Sequence, residues 1–379
     1  MRGSILIGLL LPGLWWGCAR REKVVRIAVA VPLTGDMGTE GQGVRRAVEL
    51  AVEEANQSGS FPYTLEVKPL DDRADPKEAV NVANLIASDP KVAAVVGHYN
   101  SGCTIPAAKV YAKAGIAVIT PAATNPMVTA QQLDAEWVWP RLVFRVVPTD
   151  DVQGAYAADY VYNKLKFNKV AIIHDKTPYG QGLAEEFRKG LKNFGGDILS
   201  FDGISVGDKD FKALLTRVKV SAPQGIYFGG LYTEAGLLMK QARELGVSSA
   251  FISGDGSKTG TLYEVAGAAA DGAYLTITGI PVEYLPSAKD FAARYKARYG
   301  GPGMELKPFD HFGYEATRII LAVLAKVGPD RAKLISALRE TRHEGVLGTT
   351  TFDEKGDTLN KIITMTRANF KAKSFEPLH

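Results

Sequence analysis

From Val24 onward, short runs of branched and small apolar residues alternate with longer segments whose apolar positions recur every three or four residues. That alternation predicts parallel strands joined by crossover helices: a strand covered on both faces is apolar throughout, whereas the helix covering it is apolar along one stripe. Strands are expected over residues 24–31, 63–70, 92–97, 116–120, 169–174, 225–229, 250–253 and 273–278. Helices are expected over 43–56, 107–113, 153–166, 180–194, 210–219, 234–245, 288–299, 314–326 and 332–342, with another opening at Asp75-Pro76-Lys77-Glu78. In the first of these, Val44, Ala47, Val48, Ala51, Val52 and Ala55 share one face. At Asp75-Pro76 an acidic residue precedes a proline at the first helical position, where its missing N–H costs nothing. Near the end the pattern changes to two strands, 349–352 and 359–366, which the turn Asp353-Glu354-Lys355-Gly356-Asp357 would join as a hairpin.

Strands and helices in this order make an α/β protein of two doubly wound lobes. We place residues 24–146 and 279–352 in the first lobe, and 147–278 and 353–379 in the second, with a hinge of several short crossings near Pro148, Gly279-Ile280-Pro281 and Phe352. The length of 379 residues suits two such lobes. Ligands in open α/β sheets bind beyond the carboxyl ends of the strands, so the informative residues should lie just after strands.

Before this region stands Met1-Arg2-Gly3 and an apolar run over residues 5–16, too short for the ~20 residues that span a bilayer and suited to an export signal. Trp15-Trp16-Gly17-Cys18 resembles a bacterial lipobox, in which the cysteine is acylated and becomes the mature N-terminus. The two tryptophans depart from the small or branched residues such signals prefer, so ordinary cleavage nearby and a retained anchor stand as alternatives, but in every case the folded part is expected in the periplasm or cell envelope, lipid-anchored through Cys18 on the first reading.

Composition narrows the function classes. Charged residues are 23% and hydrophobic residues 46%, and the net charge of +4 is spread over interspersed signs, so nothing marks a nucleic-acid footprint. Two cysteines, Cys18 and Cys103, exclude a disulfide scaffold, and the five histidines show no metal-ligand spacing. Gly203-Ile204-Ser205-Val206-Gly207 matches the nucleophile-elbow pattern of a serine hydrolase, but Asp208-Lys209-Asp210 would crowd an elbow, and no Asp and His follow at strand ends. Gly41-Gln42-Gly43 lacks the third glycine of a dinucleotide fingerprint. No metal, cofactor or enzymatic activity is expected.

Several segments together carry a resemblance: Asp71-Asp72 with Asp75-Pro76, Gly97-His98, Thr120-Pro121-Ala122-Ala123-Thr124, His174-Asp175-Lys176 with Tyr179-Gly180, Phe201-Asp202-Gly203-Ile204, and Phe352-Asp353-Glu354-Lys355-Gly356-Asp357. In this order, over nearly the whole chain, they resemble the periplasmic branched-chain amino acid-binding proteins of bacterial ABC transporters. The resemblance implies a protein that closes two lobes on a free amino acid and hands it to a membrane permease. It also implies the contacts. Ser101 and Thr124 would hold the ligand carboxylate, helped by a helix start; Ala122, with Ala123 beside it, would offer a carbonyl to the ammonium; Tyr179 and Asp255 would meet the ammonium from the second lobe. Helix capping by Ser101 and Thr124, a plain turn at Asp255 and packing by Tyr179 are the alternatives. Phe309 would form a side-chain wall.

The chain departs from the family at Asp255, where glutamate is usual, at Leu231, where the family has a ligand-contacting tyrosine and Tyr232 follows instead, and at Glu40, which replaces an aromatic. Ala74 and Asn100 occupy the positions of the family's disulfide, leaving Cys103 unpaired. These changes fall in the pocket, so an amide, urea-like or aromatic acid ligand stands as the alternative to an aliphatic amino acid.

Overall fold

The computed structural model describes residues 23–301 and 305–378. The export segment and Cys18 lie outside them. Five parallel strands form the first sheet: β1 (Val24–Val31), β2 (Thr64–Asp71), β3 (Val92–Gly97), β4 (Ala117–Thr120) and β5 (Val143–Arg145), in the order β2-β1-β3-β4-β5. β3 and β4 are buried at every position, as a strand sandwiched between helices must be. Against them pack the helices Gly38–Gln57, Pro76–Ala87, Ser101–Ala114 and Asp310–Val327. The stripe from Val44 to Ala55 is buried as expected. Asp75 caps its helix, accepting from the amides of Lys77 and Glu78 at 2.8 and 2.9 Å.

The second sheet contains β6 (Lys169–His174), β7 (Asp197–Gly203), β8 (Gly225–Gly229), β9 (Ala250–Ser253) and β10 (Tyr274–Thr278), all parallel. β11 (Arg342–Gly345) and β12 (Gly348–Thr351) form a separate antiparallel pair. The chain then returns to the second sheet, where β13 (Ile363–Asn369) runs antiparallel to β10, with Thr278 opposite Ile363, and β14 (Ser374–Leu378) pairs with β13. The full order is β14-β13-β10-β9-β8-β6-β7.

The expected hairpin across residues 349–366 does not form. Its two halves pair with different partners, β12 with β11 and β13 with β10, and a single bridge between Phe352 and Thr358 is what joins them. The intervening turn lies against the first sheet: the Gly356 carbonyl accepts from the Arg145 amide at 3.0 Å, and the Thr358 amide donates to the Arg145 carbonyl at 3.1 Å. The third crossing therefore comes after Thr358 rather than at Phe352. Pro148, Gly279-Ile280 and Asn360 converge around one small void, so the three crossings run side by side.

Candidate functional site

Each predicted ligand residue except Phe309, which stands at the start of the helix Asp310–Val327, follows the carboxyl end of a strand, and the two sets face each other. In the first lobe, Ser101 opens the helix Ser101–Ala114, but the capping position belongs to Asn100, whose side chain makes no capping bond. The Ser101 hydroxyl instead accepts from the Asn125 amide at 3.2 Å, which ties the helix start to the loop after β4. In that loop Thr120 Oγ1 accepts from the Ala123 amide at 3.0 Å, and the Ala123 carbonyl accepts from Arg145 at 3.1 Å. Both backbone groups of Ala123 thus serve the loop itself. The Thr124 hydroxyl is buried without a hydrogen-bond partner and caps no helix. Helix-start amides, a serine hydroxyl and an unused threonine hydroxyl are together the donors a carboxylate requires.

In the second lobe, Thr177 caps the helix Pro178–Asn193 by accepting from the Gly180 amide at 3.0 Å, and Asp175 holds Thr177 through its amide and hydroxyl at 2.8 and 2.7 Å. This fixes Tyr179, whose hydroxyl donates to Asp255 Oδ1 at 2.7 Å and accepts from the Gly256 amide at 2.8 Å. The flanking glycines are explained by close packing around that ring: a Cβ at Gly256 would stand 2.7 Å from Tyr179, and one at Gly254 would stand 2.4 Å from Leu183. Gln153 completes the cradle, donating to Asp255 Oδ1 at 2.8 Å and accepting from the Asp255 amide at 3.0 Å and from Thr276 at 2.7 Å. Leu231 packs beside Gly256, and Phe309 meets Tyr99 edge to face, 5.3 Å between ring centres.

The residue that sequence reasoning missed is Asp150. Its amide donates to the Thr124 carbonyl at 3.0 Å, its side chain is fully buried, and Oδ2 has no hydrogen-bond partner. It opens the helix Asp150–Asp159, which begins three residues before the expected start, so the sequence pattern leaves that position in the hinge. Burial, and next the charge of Asp255, hold the Asp150 carboxyl well above its ordinary range. Burial likewise raises Asp255, against the opposing hydrogen bonds of Tyr179 and Gln153. Two buried carboxyl groups, both raised by burial, with the Asp255 charge raising Asp150 further and the Arg145 charge opposing it only in part, form a site for a positive charge.

A proton linkage results from these shifts. A cationic ligand group favours both carboxylates, so its binding expels protons that the free site retains, and affinity rises as pH increases through the elevated titration range of Asp150 and Asp255. Calorimetry in buffers of different ionisation enthalpy should show net proton release on binding as pH is lowered toward the carboxylate range. Uptake, or no transfer, would contradict the arrangement.

The lobes are closed. Asn125 Nδ2 donates to the Pro178 carbonyl at 2.6 Å. Glu40, from the first turn of the helix Gly38–Gln57, accepts from Thr259 at 3.0 Å and from Tyr232 at 3.2 Å, both of the opposite lobe. Tyr232 also donates to the Asp36 carbonyl. Glu40 and Tyr232, both singled out in the sequence, therefore meet across the lobes. Glu40→Ala should weaken ligand binding by about 1–2 kcal/mol without removing a ligand contact, as a hydrogen bond to a charged group is worth ~1.5–3 kcal/mol. Small-angle scattering on this variant at limiting ligand should show a larger radius of gyration than the unaltered protein.

Other singled-out residues have structural places. His98 is buried between Asp72 and Tyr111, at 2.7 and 2.8 Å. Cys103 is a free, buried thiol. Ser205 lies in an exposed turn whose amide donates to Asp208 at 2.8 Å. Among the described residues no group of acidic, histidine or cysteine side chains could hold a metal ion, and no helix is long and apolar enough to cross a membrane.

Comparison with known proteins identifies relatives over most of the chain. The chain is 36% identical over 336 residues to Leu/Ile/Val-binding protein homolog 1 of Brucella suis, covering 88% of this chain and 87% of that one. It is 35% identical to the leucine-, isoleucine-, valine-, threonine-, and alanine-binding protein of Pseudomonas aeruginosa, covering 90% and 89%. The branched-chain amino acid transporter substrate binding protein of Streptococcus pneumoniae, solved in complex with isoleucine, superposes with a TM-score of 0.84 at 28% identity over 94% of this chain and 99% of that one. The family model for periplasmic binding proteins matches residues 24–373. The lobes, the strand-end site and these matches together place the chain in the periplasmic binding protein family, whose members are solute-binding proteins and not enzymes.

Proposed function

We propose that the protein captures a free amino acid with an aliphatic, branched side chain between its lobes and delivers it to an ABC permease. The observation that carries this reading is the pair Asp150 and Asp255 facing the donors at Ser101 and Thr124: an α-amino acid is the small ligand that brings an ammonium and a carboxylate side by side. The Ala122 carbonyl, which accepts no hydrogen bond from a described residue, gives the ammonium a further acceptor. Leu231, Tyr99 and Phe309 supply apolar surface near the same place. Amides, ureas and aromatic acids fit less well, because a ligand without an ammonium leaves two buried carboxyl groups uncompensated. The leucine, isoleucine and valine named for the relatives are the first ligands to test.

A thermal-shift screen of pure compounds separates the readings, since a ligand at 100 times its Kd adds ~2.7 kcal/mol of stability. Leucine, isoleucine or valine should raise the melting temperature most; a response to benzoate or urea and not to amino acids would overturn the proposal. Cys18 is the proposed lipid attachment point. In the native host Cys18→Ser should move the protein to the aqueous phase of a detergent extraction, and wild-type protein already found there would remove the anchor.

A further inference from the structure

A cavity of about 590 Å3 lies behind the site, between the loop after β9, the crossing after β10 and the start of the helix Asp310–Val327. It shares Asp255 and Phe309 with the amino-acid site and runs from there past Thr259 to Lys258, His311 and Phe375. Such a volume is typical of pockets that take whole small molecules, and a four-carbon side chain would fill little of it.

Two groups on its wall lack what their burial demands. His311 is 3% exposed, and neither ring nitrogen has a hydrogen-bond partner. Burial first, and then the charge of Lys258, push its pKa down to about 3, so at neutral pH the ring is uncharged and presents one N–H donor and one acceptor. Lys258 is half-buried along the same wall, its ammonium 5.5 Å from the Phe375 ring centre, and among the described residues that ammonium makes neither a hydrogen bond nor an ion pair. Burial lowers the pKa of Lys258 and only the charge of Glu283, which makes no ion pair with it, opposes that, so a half-buried ammonium beside an unsatisfied N–H donor is costly unless an anion joins them.

We propose that this cavity is a second subsite and that Lys258 and His311 bind a carboxylate in it. One ammonium and one neutral donor match a planar monoanion; the other charges lining the cavity, Lys296, Lys307 and Lys373 against Asp255, Glu283 and Glu305, balance and add no net preference for a doubly charged ion. The carboxylate comes either from a separate small acid or from the far end of the amino acid held in the cleft, and only the second source rests on the function proposed above.

Protein labelled at histidine Cε1 distinguishes these outcomes by nuclear magnetic resonance. It has five histidines, and the His311 signal is identified by its loss in His311→Gln. Butyrate added to leucine-saturated protein should move that signal saturably if the acid is separate, while movement by L-2-aminoadipate alone assigns the distal carboxylate. Either supports the subsite. In Lys258→Met, or in Lys258→Gln should the first fail to melt cooperatively, the apparent Kd for the active probe should rise at least tenfold. No movement with either probe at tens of millimolar, or movement undiminished in a folded Lys258 variant, overturns the proposal. A response to butyrate in protein that ignores leucine would sink the amino-acid reading and leave the subsite standing.

Discussion

Asp255→Asn should weaken binding of leucine by about 2–5 kcal/mol, roughly 30-fold or more in Kd, and at the same time raise the melting temperature of the ligand-free protein. The two effects share one cause. Asparagine keeps an oxygen where Asp255 Oδ1 accepts from Tyr179 and Gln153 at 2.7 and 2.8 Å, so the cradle survives. What it removes is a buried negative charge that acts on Asp150. Without ligand that charge is a liability, because both carboxyls have folded-state pKa values above their unfolded ones. Such groups lower stability as pH rises above the ordinary carboxylate range of ~4, so the gain from Asp255→Asn should be larger at pH 7 than at pH 4. With ligand bound, the charge neutralises an ammonium, and removing it leaves that ammonium half-compensated. Calorimetry and thermal denaturation on the same preparation check both. Unchanged affinity would remove Asp255 from the site, and a lower melting temperature without ligand would mean that Asp150 and Asp255 do not oppose each other. A site that is strained until its ligand arrives is expected where stability and function compete.

The parts of this site that are readable along the chain are those marked by a change of pattern. An apolar run that stops, succeeded by small and hydroxylated residues, locates Ser101 after β3, Thr124 after β4 and Asp255 after β9, because a parallel strand must end where its helix begins. Asp150 carries no such mark. Its strand, β5, has three residues, too few for a period, and the polar run Thr149-Asp150-Asp151 reads equally well as a connector or as a helix start. Gln153 reads along the chain as the first residue of a helix, yet its importance lies in a contact 102 residues away, to Asp255. The misread hairpin has a similar origin. The turn Asp353–Asp357 has the residues of a tight connection, but the strand beyond it finds a better partner in β10, whose Thr276 and Thr278 stand opposite Met365 and Ile363. The cavity behind Phe309 joins residues 258, 311 and 375, from three separate elements, and no local pattern announces such a meeting.

Arg145→Met should destabilise the protein by about 3–5 kcal/mol and weaken ligand binding as well, though Arg145 touches no proposed ligand contact except through the loop it holds. Arg145 is fully buried at the end of β5. Its Nε donates to Asp357 Oδ1 at 2.6 Å, Nη1 donates to the Ala123 and Asn125 carbonyls at 3.1 and 2.8 Å, and Nη2 donates to Thr129 Oγ1 at 2.6 Å. One side chain thus joins the segment before the third crossing to the loop that carries Ala122 and Thr124. Methionine fills much of the volume and makes none of these bonds, leaving the buried Asp357 charge with only the Thr129 hydroxyl at 2.6 Å and the Lys355 ammonium at 3.5 Å. Adding Asp357→Asn removes that charge, so the double variant should be less destabilised than the sum of the two single changes. The pH dependence separates an ion pair from mere packing. Burial alone would raise Asp357, but the Arg145 charge and the hydrogen bonds from Arg145 and Thr129 outweigh it and hold the carboxyl below its ordinary range. Its contribution is therefore present above the unfolded carboxylate pKa of ~4 and is lost as pH falls through the lower folded value. Urea denaturation should show the gap between the unaltered protein and Arg145→Met narrowing in acid. A gap that stays constant down to the acid transition would mean that Arg145 acts by filling space, and a variant that binds leucine with full affinity would mean that the loop holds its shape without it.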